Sequence, residues 1–246
     1  QAAKYAACVQ EADSDPRKAM DTAVDWQAVG GGIPARHCIA LALINLGQYE
    51  TGAERLEQLG EDIQMGHDIS GLGDVDLDSL QAEINGQAGN AWLMMGEFGR
   101  AYSVLSAALI DAPDQSLFRV EYYIDRARAL AGLGQFQKSL DDLDKAVHLA
   151  PERADIYVFR ASAYRALEKL DRAAEDLATA LKLNPDNVAA LLEQGIIFRL
   201  VGKDVEAKAN WLAIVTKFPD TPEAEIAAKN LKLMDEVSEA SPATQP

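Results

Sequence analysis

Pro151, Pro185 and Pro219 stand 34 residues apart, and each closes a segment whose small and large residues fall at the same offsets. A fixed period of this length constrains the chain to an array, because one unit of about 34 residues cannot bury its own apolar face and must stack on its neighbours. The unit ending at Pro185 carries Tyr157, Arg160, Ala161 and Tyr164, then Ala173, Leu177 and Ala180. The unit ending at Pro219 repeats these offsets with Leu191, Gln194, Gly195 and Phe198, then Ala207, Trp211 and Ile214. The unit ending at Pro151 has Tyr123, Arg126, Ala127 and Leu130, then Ser139, Leu143 and Ala146. Spacings of three and four place each set on one face of a helix. The small residues mark where two antiparallel helices approach too closely for a long side chain.

A large residue, a small one four on, an aromatic three further, then a small residue, a large one and a closing Pro: this pattern resembles the tetratricopeptide repeat. The resemblance implies an all-α, right-handed superhelical solenoid of antiparallel helix pairs. Arg126 and Arg160 depart from it, standing where Leu is usual, and read as a variant of the repeat and not as catalytic groups. Upstream, Asn85, Ala88, Gly89, Trp92, Ala101, Leu105 and Ala108 fit before Pro113, and Arg36, Ile39, Ala40, Leu43, Gly52, Leu56 and Leu59 fit without a closing Pro.

The expected organisation follows from these matches. Residues 1–32 form a degenerate helical repeat, with a short helix around Tyr5 to Glu11, an N-cap at Ser14 or Asp15 before Pro16, and a stop at Gly30, Gly31 and Gly32. Residues 33–59 form a repeat, 60–81 an Asp/Gly-rich insertion and helix start, and 82–219 four repeats. Residues 220–236 form a capping helix with Ala224, Ala227, Leu231 and Met234 on one side, and 237–246 a small, polar, disordered tail.

A formal charge of -16 argues against a phosphate-backbone partner, which needs a basic patch, so no nucleic acid is expected. No run approaches the roughly 18–20 apolar residues of a membrane span, so no membrane insertion is expected. The chain opens on Gln1 and runs straight into helical residues, the form expected once a signal peptide has been removed. Its two cysteines, Cys8 and Cys38, fall on first helices of neighbouring units. Such helices lie side by side in this family, so a disulfide is expected, and with it a periplasmic or secreted location; the alternative is a pair of buried thiols.

Asp74, Asp76 and Asp78 alternate like the start of a calcium loop, but Ser79 and Asn85 occupy the places of its Gly and its bidentate Glu. Helix N-capping by Asp76 or Asp78, ahead of a helix from Leu77 to Met95, is the better reading. His37, His67 and His148 have no metal-ligand spacing. No nucleophile elbow or phosphate loop is present, so neither metal, cofactor nor catalysis is expected, a hydrolase or metal-binding protein being a remote alternative.

In the tetratricopeptide family the first helices line an inner groove. On this chain the resemblance places Asn90 and Leu93, with Glu83 and Met94, at exposed inner positions of one unit, and Ile124 and Arg128 with Glu121 in the next. Val158, Phe159 and Arg165 follow, then Leu192, Ile196 and Arg199. An apolar strip flanked by arginines is expected to bind a protein segment, with the arginines either contacting the ligand or pairing with Glu121, Asp125, Asp155 or Glu193. Asn90 stands where chaperone-binding members grip a peptide, although the Lys partners of that clamp are missing. The implied function is a non-catalytic interaction scaffold that binds a protein segment in its groove or docks an envelope enzyme or assembly, with self-assembly through an outer apolar face as the rival reading.

Overall fold

The computed structural model describes residues 2–67, 69, 72, 75–114, 116 and 118–240, with side chains to residue 236. Thirteen helices and no strand occur among them: α1 (Ala2–Ser14), α2 (Pro16–Ala28), α3 (Gly32–Asn45), α4 (Tyr49–Gln64), α5 (Leu77–Met95), α6 (Phe98–Asp111), α7 (Phe118–Gly132), α8 (Phe136–Leu149), α9 (Ala154–Ala166), α10 (Leu170–Leu183), α11 (Val188–Leu200), α12 (Asp204–Lys217) and α13 (Pro222–Ala240). The chain divides into two compact units, residues 1–142 and 143–246.

The small-residue slots act as the period requires. Ala127, Ala161 and Ala173 are fully or almost fully buried. A Cβ at Gly89 would collide with Leu105, and one at Gly195 with the indole of Trp211. A long side chain at either slot would force the paired helices apart.

In the first unit, three apolar layers follow one another. Cys8, Ala19, Ala23, Trp26 and Cys38 bring together α1, α2 and α3. Leu56, Leu59, Ile84 and Ala88 join α4 to α5, and Trp92, Leu105, Ala108 and Tyr122 join α5, α6 and α7. In the second unit, Tyr157, Ala161, Leu177 and Ile197 form one layer. Leu192, Trp211, Ile214 and Ala227 form the last, which α13 closes. Packing by successive layers, each touching only its neighbours, is how a repeat array buries apolar surface without a single centre.

The turns inside the pairs obey the same period. Gly134 and Gly202 adopt positive φ, 72° and 77°, where the chain reverses between paired helices. At the equivalent turn between α9 and α10 stands Glu168, at φ 59°, the one non-glycine residue with positive φ among those described.

Several boundaries differ from the sequence expectation. The first helix spans Ala2–Ser14, well beyond Tyr5 to Glu11. The start of α2, by contrast, is as expected: Asp15 caps it, accepting a hydrogen bond from the Lys18 amide, with Pro16 in the first turn. Helix α4 continues to Gln64, past the expected insertion boundary at Gly60, and its last turns bury Ile63 in the same cluster as Leu80 and Ile84 of α5. Helix α13 continues to Ala240, and residues 241–246 of the expected tail lie outside the described residues.

Cys8 and Cys38 lie with their Cα atoms 6.1 Å apart and their sulfurs at bonding distance, which joins α1 to α3. Beside them His37 is fully buried. Its ring contacts the Tyr5 hydroxyl through Nδ1 and Gln87 Oε1 through Nε2 at 2.5 Å, and Gln87 in turn donates to Glu83 at 3.1 Å. Desolvation drives the His37 pKa below its ordinary value against the pull of Gln87 and Glu83.

Candidate functional site

In the first unit, α5 and α7 carry the first set of candidate inner residues. Asn90 is exposed, and its side-chain nitrogen donates to Asp125 Oδ2 at 3.3 Å. The other Asp125 oxygen accepts from Arg128 Nη1 at 2.7 Å, so one carboxylate links the two candidate polar groups across adjacent helices. Met94 is 58% exposed, but Leu93 and Ile124 are buried.

In the second unit, α9 and α11 carry the rest. The Arg165 guanidinium makes two parallel bonds to Glu193, 2.8 Å from Nε to Oε2 and 2.9 Å from Nη2 to Oε1. The Ser162 hydroxyl also donates to Glu193. Hydrogen bonding to Glu193 raises the Arg165 pKa above its ordinary value, against desolvation. Arg199 pairs with Asp204 at 2.7 Å. Val158 and Leu192 are buried, whereas Phe159 and Ile196 are half-buried.

The expected exposed apolar strip is thus corrected: Leu93, Ile124, Val158 and Leu192 are 3–8% exposed. Helical spacing places a residue on a face, but neighbouring helices meet across that face and cover its aliphatic positions. Polar groups and the longer side chains stay accessible. Of the two readings of the arginines, pairing with carboxylates holds for Arg128, on Asp125, and for Arg165, on Glu193; both side chains are about two-thirds covered, which corrects the expectation that they stand freely exposed.

A second polar row was missed as such. Arg126 makes a two-pronged contact to Asp142, 2.7 and 2.8 Å, and Arg160 does the same to Asp176, 2.8 and 2.7 Å, while also reaching Asp144 at 2.8 Å. Asn210 donates to Gln194 at 2.9 Å. Each of these pairs is separated by 16 residues, so an acid or amide recurring at that offset was the available signal. The row locks the first helix of a pair to the second.

The tetratricopeptide repeat signature matches residues 124–176 and 160–222. Residues 124–222 carry tetratricopeptide repeats. The Arg–Asp row therefore lies within the matched repeats, at their leucine slot. No curated protein sequence matches the chain. Among solved structures, MamA from Desulfovibrio magneticus RS-1 superposes with a TM-score of 0.60 at 18% identity, covering 77% of this chain and 97% of its own. TTC0263, a thermophilic repeat protein of Thermus thermophilus, gives 0.60 at 17% identity, with 82% and 99% covered. YrrB, a repeat protein described as having an unusual peptide-binding site, gives 0.56 at 18% identity, with 87% and 98% covered. At these identities the likeness is one of fold.

Among the described residues no three His, Cys, Asp or Glu side chains group to hold a metal ion. Asp76 stands at the N-cap of α5, but its side chain caps no amide, contrary to expectation, and accepts instead from the Ser79 hydroxyl at 2.5 Å; Asp74 lies outside the described residues. No helix of the described residues is long and apolar enough to cross a membrane.

Proposed function

We propose that the protein is a non-catalytic scaffold that holds a segment of another protein against the first helices of its repeats. The carrying observation is Arg165: two of its N–H groups engage Glu193, and the guanidinium side chain keeps 34% exposure, so its further N–H donors are those that would fix a ligand carboxylate or carbonyl. Asn90 and Arg128 give the first unit a comparable polar handle through Asp125. Met94, Phe159 and Ile196 supply the accessible apolar contact, while the buried Leu93, Ile124, Val158 and Leu192 shape the helices that present them. Peptide binding by YrrB supports this reading by analogy of fold alone.

The cysteine pair favours an oxidising compartment such as the periplasm. The experiment is a pull-down from an envelope extract with parent and Arg165→Glu baits. Reversing this charge leaves Glu193 opposed by a like charge and should weaken a carboxylate-bearing partner about tenfold. Recovery of every parental partner by the variant would rule out the α9–α11 face.

A further inference from the structure

A cleft of about 420 Å³ lies among α4, α5 and α6, lined by Glu57, Gly60, Glu61, Asn85, Ile110 and Asp111 among others. Its origin is a break in the repeat. The slot filled by Tyr123, Tyr157 and Leu191 in later units holds Asn85. Tyr157 fills its slot and donates its hydroxyl to the Pro151 carbonyl at 2.9 Å. Asn85 is too short to do so, and across from it Gly60 has no side chain; a Cβ there would sit 2.9 Å from Asn85 Oδ1.

The lining is unbalanced in charge and in hydrogen bonding. Glu57 is matched by Arg100 at 3.0 Å and by the Trp92 indole at 2.6 Å. Glu61 and Asp111 have no ion-pair partner among the described residues: Glu61 meets only the Gln58 amide at 3.5 Å, and Asp111 only the Asn85 amide at 3.4 Å. Burial, then the charge of Asp78, raises the Asp111 pKa, the mark of a carboxylate with too little compensation. Asn85 is 7% exposed, and its Oδ1 accepts no hydrogen bond from any described residue. No buried side-chain oxygen or nitrogen among the described residues lacks a partner, so this Oδ1 is an acceptor that solvent reaches, on a residue that lines the cleft. Val104, Ala107 and Ile110 supply an aliphatic wall, with Ile110 82% exposed at its rim.

We infer that this cleft binds the side chain of an arginine presented by a partner protein. Acceptors beside an aliphatic wall match a planar group rich in donors on an apolar stem. A bare metal ion would need clustered ligands, which the described residues lack, and would leave most of the volume unfilled. Net charge of -16 favours the encounter. None of Asn90, Arg128 and Arg165 lines the cleft, and the inference stands whether or not those residues bind a segment.

The test is an NMR titration of the isotope-labelled full chain with capped arginine, with its neutral citrulline isostere and with capped lysine as controls. Saturable shifts are expected at the Asn85 side-chain amide, Gly60 and Ile110, about tenfold weaker with citrulline, since a charged hydrogen-bonding partner is lost. Asp111→Asn should weaken arginine by a similar factor. Asn85→Tyr, which restores the bulk of the later units, should abolish the shifts around the cleft while the helical circular dichroism is retained; if it fails to fold, Asp111→Asn decides. Equal response to citrulline, unsaturable shifts spread over the acidic surface, or full binding by Asp111→Asn would each overturn the inference. Equally tight capped lysine would overturn the guanidinium assignment. Self-association lost in Asp111→Asn would replace the foreign partner with a second copy of this chain.

Discussion

Arg160 holds two carboxylates from different helices, Asp176 on α10 and Asp144 on α8, and Asp176 is only 6% exposed. Attraction offsets desolvation only while both partners are present. Arg160→Leu should therefore cost about 3 kcal/mol in urea denaturation, because it strands the buried Asp176 carboxylate. Replacing Asp176 with Leu as well should recover most of that loss. Glu168 makes the opposite case, carrying a side chain into a left-handed turn where its counterparts Gly134 and Gly202 carry none. Glu168→Gly should raise stability by about 0.5–1 kcal/mol, the relief of left-handed strain exceeding the added backbone entropy of the unfolded chain. A shift of the urea midpoint with unchanged slope would register it.

At the scale of elements, α1 is the helix most dependent on special contacts. It meets α3 through Cys8 and Cys38 and through Tyr5 on His37. A disulfide closing about 30 residues contributes about 3–4 kcal/mol. Reduction, or Cys8→Ser with Cys38→Ser, should release α1 to protease ahead of the other helices. Thiol counting in denaturant on protein from its native compartment should find no free thiols. His37 adds a pH dependence. Its folded pKa is depressed by burial, so between that value and about 6.5 the unfolded chain binds the extra proton. The stability due to neutral His37 is complete above about 6.5 and declines as pH falls, by at most about 1.4 kcal/mol per pH unit for one proton. Thermal melts from pH 7.5 to 5 should show this decline, and His37→Gln should flatten it.

Over the whole molecule, the excess of acids, 39 Asp and Glu against 23 Lys and Arg, sets which partners approach. Many of the arginines are already committed, Arg126, Arg160 and Arg165 each gripping a carboxylate of a neighbouring helix. The full chain should not be retained on duplex DNA or heparin at about 0.15 M salt, and retention that weakens steeply with added salt would contradict this account.

The period of 34 residues by itself determined the helix pairs and the slots where only Ala or Gly fits, because local spacing dictates both the face of a helix and the distance of closest approach. The capping of α2 by Asp15 was equally legible, being a contact between residues three apart. Tertiary structure decided what the inner faces expose. Ile124, Val158, Leu192 and Leu93 lie on the expected face yet are covered, since burial depends on the neighbouring helix, which local spacing does not specify. It decided the partners of the arginines too, because an ion pair across 16 or 28 residues is set by the stacking of helices and not by periodicity within one. The cleft beneath Asn85 joins both sources: the sequence placed a short residue in a large slot, and only the packing of Gly60 against it left that volume open instead of collapsed.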